Sequence, residues 1–148
     1  MKNIILVTHA DFAKGILTSL ELVVGKTENI DFVSISARET IPEITAMIEA
    51  KIDGFHNDAC TVIISDIAGG STTRAAMELL VRRRNIYLIT GLNLGLLLEV
   101  ALLPLSGEDS LDRQALKNAI ESSKSTMSLV NDTMDEQDFS QMSDLEEL

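Results

Sequence analysis

The sequence predicts a doubly wound α/β fold, with a mainly parallel sheet of four strands and helices on both faces. Short apolar segments rich in β-branched residues alternate with longer segments in which apolar residues recur at helical spacing. The strand-like segments are continuously apolar, as expected of strands that are covered on both faces. No repeat or low-complexity linker divides the 148 residues, so we expect one main domain.

The first strand-helix unit is predicted from residues 3–8, a continuous apolar run, and from the helical spacing that follows it. Asp11 is predicted as the N-cap of this helix and Gly25 as its stop. Gly15 lies inside the helix and weakens it by roughly 1 kcal/mol relative to alanine. The apolar face consists of residues at helical spacing: Phe12, Ile16, Leu20, Val23 and Val24.

Residues 30–36 are predicted as the second strand, and the helix after it has a clear start signal. Thr40 with Glu43 three residues later matches a capping box, and Pro42 fits the first turn. Gly54 ends this helix. Its apolar face is formed by isoleucines: Ile41, Ile44, Ile48 and Ile52.

Two further strand-helix units follow. Cys60–Ser65 is the third predicted strand, with a helix over residues 72–83, and Ile86–Thr90 is the fourth, with a helix over residues 94–103. Pro104 closes that helix.

The last amphipathic helix is predicted to start near Asp109. Its apolar residues are Leu111, Ala115, Leu116, Ala119 and Ile120. Residues 125–130 either extend this helix or form a short strand, and the local sequence leaves both open.

Charge and aromatic content argue against nucleic acid as a ligand. The formal net charge is −11, and seven of the 23 acidic residues lie in residues 131–148, which contain no Lys or Arg. Residues 1–130 therefore carry a net charge of −4, whereas a phosphate backbone needs a basic face. Only 3% of the residues are aromatic, too few for base-stacking platforms.

We interpret residues 131–148 as an acidic C-terminal tail. A tail of this composition is expected to be disordered, but three apolar residues share one helical face, so part of it could instead dock. These residues are Phe139, Met142 and Leu145.

Cysteine usage and hydropathy predict a cytoplasmic protein without membrane insertion. The single cysteine, Cys60, excludes an intrachain disulfide, and its apolar neighbours predict a buried, reduced thiol. Residues 1–7 are too short for the apolar region of a signal peptide, and no apolar stretch reaches the ~18 residues of a membrane span. Neither the Cys/His spacing of a metal site nor a nucleotide-binding glycine pattern is present, so we expect no metal and no cofactor.

Polar residues follow three of the predicted strands. His9 follows the first strand, Asp66 the third, and Gly91 and Asn93 the fourth. In an open parallel sheet, ligands gather at the carboxyl ends of the strands. Because strands one and three are often neighbours in such sheets, we expect His9 and Asp66 to meet across one crevice.

His9 is the main candidate for a reactive group. A neutral imidazole nitrogen is nucleophilic near pH 7, and a phosphoryl group bound to it keeps a high transfer potential. Asp66 is suited to accept the proton of the second ring nitrogen, which would fix the tautomer and free the first nitrogen. The alternative is a partly buried histidine at a strand end, the commoner role of a lone histidine.

Gly69, Gly70 and Ser71 precede a predicted helix and form a candidate phosphate-binding turn. Glycines allow a close backbone approach, and the amides of a helix N-terminus point at negative charge. The alternative is a plain helix cap after a flexible turn. Because no lysine follows in the P-loop pattern, a phosphate site here would receive its phosphate from another protein rather than from a nucleotide.

Together these motifs resemble the enzyme IIA component of the mannose/fructose/sorbose family of the bacterial phosphoenolpyruvate:sugar phosphotransferase system. The resemblance covers about residues 1–130. It is carried by three motifs in order: Thr8 and His9, Asp66 with residues 69–71, and residues 91–94 before an apolar helix.

The resemblance implies a phosphoryl relay in sugar uptake. The histidine phosphocarrier protein (HPr) would phosphorylate His9, and a IIB domain would accept the group and pass it towards a sugar at the membrane. His9 matches the phosphorylated histidine of the family, Asp66 the carboxylate that orients it, and Ser71 the hydroxyl near the phosphate. Family members are homodimers that exchange a C-terminal antiparallel strand, which residues 125–130 would form here.

Three positions depart from the family pattern. Thr72 stands where the family usually has Pro, Arg74 where it usually has Asn, and Gly95 where Pro is common. His9 and Asp66 are unchanged, so the departures bear on the rim of the pocket and on the choice of partner and sugar.

Two other functions use the same site. One is the phosphoryl-donor subunit of a dihydroxyacetone kinase, in which the acceptor is a kinase-bound nucleotide. The other is a non-enzymatic regulatory module that His9 phosphorylation controls without onward transfer. The turn at residues 69–71 favours the sugar-uptake family, whereas the acidic tail, Thr72 and Arg74 keep the regulatory module open.

Overall fold

The computed structural model of this protein describes residues 1–136. The apolar face predicted for Phe139, Met142 and Leu145 lies outside the described residues. The elements follow in this order: β1 (Lys2–His9), α1 (Phe12–Val24), β2 (Ile30–Ile35), α2 (Ile41–Asp53), β3 (Cys60–Ser65), α3 (Ser71–Arg82), β4 (Ile86–Thr90), α4 (Leu94–Leu102), α5 (Asp109–Ser125) and α6 (Val130–Glu136).

The four strands form one parallel sheet in the order β2-β1-β3-β4. The predicted parallel sheet is therefore confirmed, and β1 and β3 are its two central strands. Strands β3 and β4 have the predicted bounds, β1 is one residue longer than predicted at each end, and β2 ends one residue earlier than predicted.

Helices cover both faces of the sheet, as predicted for a doubly wound fold. Side chains of β1 alternate between the faces: Ile4 and Leu6 pack with residues of α1, α4 and α5, whereas Ile5 and Val7 pack with residues of α2 and α3. All four of these side chains are buried. Burying an aliphatic side chain of this size contributes about 1.5–3 kcal/mol, so the strand is held firmly from both sides.

The predicted start of α2 is confirmed. The Thr40 side chain accepts a hydrogen bond from the Glu43 amide at 3.3 Å, and Pro42 lies in the first turn. Asp11 occupies the predicted N-cap position of α1, but its side chain makes no cap hydrogen bond. Asp11 has φ −90° and ψ 15° rather than the extended conformation of most N-caps. Instead, the Ala13 amide donates to Oγ1 of the buried Thr8 at 2.9 Å.

Residues 125–130 do not form a strand in this chain. Ser125 ends α5, residues 127–129 have no regular secondary structure, and α6 begins at Val130. A short helix, α6, covers the first residues of the acidic tail.

Cys60 is half-buried rather than buried. Burial is the main cause that raises the pKa of its thiol above the ordinary value. Within residues 1–136, no helix combines the length and the apolar character that crossing a membrane requires.

Two glycines of α1 should respond in opposite ways to alanine. An added Cβ has free space at both Gly15 and Gly25, but Gly25 has φ +86° whereas Gly15 lies within the helix. We expect Gly15→Ala to raise the free energy of unfolding by about 0.5–1 kcal/mol, since alanine loses less backbone entropy. Gly25→Ala should lower it by about 1–2 kcal/mol, because a Cβ is strained at positive φ.

Urea unfolding followed by circular dichroism measures both changes. The two variants serve as controls for each other, since they add the same methyl group to the same helix. Equal effects at the two positions would contradict this account of α1.

Candidate active site

The structure brings His9 and Asp66 together at the carboxyl edge of the sheet. His9 is the last residue of β1, and Asp66 directly follows the neighbouring strand β3. The chain runs from β1 to β2, which lies on one side of β1, and later to β3, which lies on the other side of β1. This reversal creates the crevice in which open α/β sheets bind their ligands.

The imidazole of His9 is hydrogen-bonded to the carboxylate of Asp66. Nδ1 of His9 lies 2.9 Å from Oδ2 of Asp66, and the backbone amide of His9 donates to the same oxygen at 2.8 Å. An ionised carboxylate only accepts hydrogen bonds, so Nδ1 carries the proton. The lone pair of the neutral ring is therefore on Nε2.

The two side chains differ sharply in exposure. The His9 side chain is 44% exposed, whereas that of Asp66 is 6% exposed. A partner molecule can thus reach the ring while the carboxylate stays away from water. The arrangement is that of an exposed nucleophile held by a buried orienting group.

Hydrogen bonds keep Asp66 ionised despite its burial. Burial alone opposes the charged form, but the backbone amide and ring of His9 and the hydroxyl of Thr72 donate to the carboxylate. Their combined effect, helped by the positive charge that His9 carries when it is protonated, holds the pKa of Asp66 below the ordinary aspartate value.

The glycine turn lies against the edge of the imidazole. Gly69 has φ +77°, a conformation that L-residues rarely adopt. A Cβ at Gly70 would lie 3.5 Å from Cε1 of His9 and 3.2 Å from the carbonyl oxygen of Ile67. A side chain at Gly70 would thus be crowded by the Ile67 carbonyl and would contact the ring at Cε1, between its two nitrogens.

The glycine turn uses one of its own amides internally. The Gly70 amide donates to the Ile67 carbonyl at 3.1 Å, which closes the turn and occupies that donor. Gly70 is instead the N-cap of α3, and no side chain caps this helix end. The first-turn amides beginning at Ser71 therefore remain without an intrahelical partner. Ser71 is half-buried, and its hydroxyl has no hydrogen-bond partner within residues 1–136.

Sequence reasoning missed two threonines of α3. Oγ1 of Thr72 donates to Oδ1 of Asp66 at 2.9 Å, and Oγ1 of Thr73 donates to the Ile67 carbonyl at 2.7 Å and contacts Oγ of Ser65 at 2.6 Å. Both threonines are buried. The signal that could have found them is the run of three hydroxyl residues at the start of the helix.

Asn93 lies at the same sheet edge but serves the fold. Its side chain caps α4 by accepting from the Leu96 amide at 2.9 Å, and it also accepts from the Ser123 hydroxyl at 3.1 Å.

Arg74 is exposed on α3. His56 is exposed near the opposite end of the sheet, where it lines a polar cavity of about 500 Å³. Across residues 1–136, no group of His, Cys, Asp and Glu is arranged to hold a metal ion.

Solved structures of other proteins share this fold. The component EIIA of the phosphotransferase system from Streptococcus agalactiae superposes with a TM-score of 0.77 at 24% identity, over 88% of this chain and 98% of its own. The mannose/sorbose-specific IIA subunit from Enterococcus faecalis gives a TM-score of 0.74 at 24% identity, over 87% of this chain and 95% of its own.

Sequence comparison goes beyond the fold. The sorbose-specific EIIA component of Lacticaseibacillus casei is 31% identical over 99 residues, which make up 67% of this chain and 71% of that protein. A family model described as the fructose IIA component of the phosphotransferase system matches residues 3–121. This chain therefore belongs to the mannose-type IIA family of the phosphotransferase system and is a sugar phosphotransferase component.

Proposed function

We propose that this protein is a cytoplasmic relay subunit that accepts a phosphoryl group from HPr on Nε2 of His9 and passes it to a IIB domain. The observation that carries the proposal is the hydrogen bond of 2.9 Å between Nδ1 of His9 and Oδ2 of Asp66. It leaves Nε2 with the lone pair on an exposed ring. We assign this function to residues 1–130, with residues 131–148 as an acidic tail outside the phosphoryl-transfer domain.

Phosphoryl acceptance is an in-line displacement between two imidazoles. Nε2 of His9 attacks the phosphorus atom, and the bond from phosphorus to the ring nitrogen of the donor breaks as the new bond forms. The donor ring leaves with the electron pair of that bond. Nδ1 of His9 keeps its proton and donates it in a hydrogen bond to Asp66, whose carboxylate stabilises the positive charge that the ring gains during attack.

The N-terminus of α3 is suited to hold the transferring phosphoryl group. Its first-turn amides have no side-chain cap, and the helix dipole favours negative charge at this end. The hydroxyl of Ser71 can add one donor, and Gly69 and Gly70 keep the turn free of side chains beside the ring. This geometry stabilises developing charge without any metal ion.

Exposed apolar residues beside the site are suited to a protein donor rather than to a free small molecule. Ile67 is 56% exposed in the glycine turn, and Phe12 is 44% exposed at the start of α1. Both lie in the segments that directly follow Asp66 and His9, respectively. Apolar side chains next to an exposed nucleophile provide contact area for another protein surface.

We also propose that the protein is a homodimer in which residues 125–130 pair with β4 of the second subunit. Strand β4 pairs only with β3 among the described residues, so its other edge has free backbone groups. A groove of about 320 Å³ runs along that edge between α3 and α5, and its lining includes Leu80, Leu88 and Ile120. In the segment that we propose to pair with β4, residues 125–130, the apolar side chains of Met127, Leu129 and Val130 are 77%, 65% and 60% exposed.

Replacing His9 should abolish phosphorylation. Incubation with phosphoenolpyruvate, enzyme I and HPr should give an acid-labile, base-stable phosphoprotein, and His9→Ala should give none. His56→Ala is the matched control, since His56 is the only other histidine and lies away from the site. Label on His9→Ala at the wild-type level would contradict the relay.

The same labelled protein separates the three candidate functions. Transfer of label to a IIB domain supports the sugar-uptake relay, and transfer to a nucleotide-bearing kinase subunit supports the dihydroxyacetone kinase. Stable label that neither acceptor removes supports a regulatory module.

Replacing Asp66 should slow phosphoryl acceptance and change the response to acid. In Asp66→Asn the amide can present its NH₂ to Nδ1, which moves the ring proton to Nε2 and blocks attack; we expect a loss of about 100-fold or more. The lowered pKa of Asp66 means that its carboxylate stabilises the fold above the ordinary aspartate pKa and loses this effect as pH falls through the folded value. The variant should therefore lose less stability on acidification than the wild type.

Kinetics at neutral pH and urea unfolding between neutral and acidic pH measure the two effects. Asp11→Asn is the control, because Asp11 is an exposed carboxylate near His9 whose side chain makes no cap hydrogen bond. An Asp66→Asn variant with wild-type kinetics would remove Asp66 from the mechanism.

A charge placed in the groove along β4 should dissociate the dimer. Leu80 is 43% exposed and lines the groove, whereas its neighbour Val81 is 88% exposed and does not. We expect Leu80→Asp to be monomeric and Val81→Asp to remain dimeric, by size-exclusion chromatography with light scattering. A wild-type protein that is monomeric at all concentrations would disprove the dimer.

A further inference from the structure

The carboxylate of Asp66 accepts a full set of hydrogen bonds. Oδ2 accepts from the amide and from Nδ1 of His9, at 2.8 Å and 2.9 Å. Oδ1 accepts from the Ile67 amide at 3.0 Å and from Oγ1 of Thr72 at 2.9 Å. An ionised carboxylate has about four acceptor sites, so each of them is filled.

Thr72 differs from the other three donors in where it comes from. Two of them belong to His9, and the Ile67 amide belongs to the residue next to Asp66 itself. Thr72 lies in the first turn of α3, six residues further along the chain, and it is fully buried at 0% exposure. Water therefore cannot take the place of its hydroxyl, and no other side chain among residues 1–136 donates to Oδ1.

The contact joins two parts of the site. On one side, Asp66 fixes the orientation of the His9 ring; on the other, Thr72 belongs to the helix whose N-terminus faces the ring through Gly70.

We propose that Thr72 is a positioning residue for phosphoryl transfer, whose buried hydroxyl fixes Oδ1 of Asp66 so that Oδ2 stays aligned with Nδ1 of His9. The inference rests on the proposed function of His9. The Thr72 hydroxyl donates to Asp66, so the side chain acts through that carboxylate.

The hydrogen bond from Thr72 also affects the titration of the Asp66 carboxyl. Burial opposes ionisation of this carboxyl, and the hydrogen bond from Thr72 is one of those that lower its pKa. Among residues 1–136, His9 is the titratable group that lowers this pKa. The contribution from α3 is the hydroxyl of Thr72, which is neutral. Removing that hydroxyl should move the titration of the Asp66 carboxyl to higher pH.

The test compares Thr72→Val, Thr72→Ser and Thr45→Val in the full-length chain. Valine keeps the shape of threonine without its hydroxyl, and serine keeps the hydroxyl. Thr45→Val is the matched control, because Thr45 is also buried and its hydroxyl also reaches α3, where it donates to the Ala75 carbonyl at 3.0 Å, as well as to the Ile41 carbonyl. Thr72→Ala provides a second variant without the hydroxyl if the valine variant does not fold.

Two readouts are measured: the NMR titration of the Asp66 side-chain carboxyl carbon, and the kcat and KM for phosphorylation by HPr. We expect Thr72→Val to titrate at higher pH and to lose about tenfold in kcat with KM nearly unchanged, since a hydrogen bond to a charged group is being removed. The acidic limb of the pH-rate profile should move in the same direction. Thr72→Ser should restore both, and Thr45→Val should change neither, whatever its effect on thermal stability.

An unchanged Asp66 titration in Thr72→Val, or an equal shift in Thr45→Val, overturns the proposal. The titration does not depend on phosphorylation. If none of the proteins takes up a phosphoryl group, the proposed function fails, and the titration still decides whether Thr72 sets the state of Asp66.

Discussion

The pairing of β1 with β3 is the constraint on which the site depends. The parallel ladder between these strands runs from Lys2 opposite Cys60 to Val7 opposite Ser65. Beyond it, the His9 amide donates to the Asp66 carboxylate instead of to a main-chain carbonyl. The side chain of Asp66 therefore orients the ring and also continues the pairing of the two strands. The ring is held by a sheet that is packed on both faces.

Burial divides the site into a fixed part and an accessible part. Asp66 and the two threonines of α3 are buried and hydrogen-bonded, whereas the His9 ring and the side chain of Ile67 are exposed. The proposed relay requires the phosphorylated atom to reach two different partners in turn. A rigid base with an exposed ring meets this requirement without a lid, because the partner surface itself can exclude water from the transfer.

Sequence reasoning recovered the elements and the main pair of side chains. Continuous apolar runs gave β3 and β4 their correct bounds, and the neighbouring positions of β1 and β3 predicted that His9 would meet Asp66. The contact of Thr72 with Asp66 could not be predicted from the sequence, because it depends on the path of the turn between them, in which Gly69 has φ +77°.

Two other features also depend on more than local sequence. Oγ1 of Thr8 accepts a hydrogen bond from the first turn of α1, across a turn in which Ala10 has φ +50°. Alanine rarely adopts this left-handed conformation, and the sequence pattern did not predict it. Residues 125–130 were ambiguous because the strand that we propose for them would pair with a second subunit, which a single sequence does not describe.

The proposed dimer and the proposed active site share one anchor. Oγ of Ser123, near the end of α5, donates to Asn93, which caps α4 directly after the carboxyl end of β4. A Cβ at Gly95 would lie 3.3 Å from Oδ1 of Asn93 and 3.6 Å from Oγ1 of Thr126, so it would crowd the Asn93 side chain and contact the end of α5. Residues 125–130 therefore leave the domain at the edge of the sheet that holds His9. Exchange of this segment would tie the second subunit to the same edge, and a change at Gly95 would disturb both the anchor and the dimer.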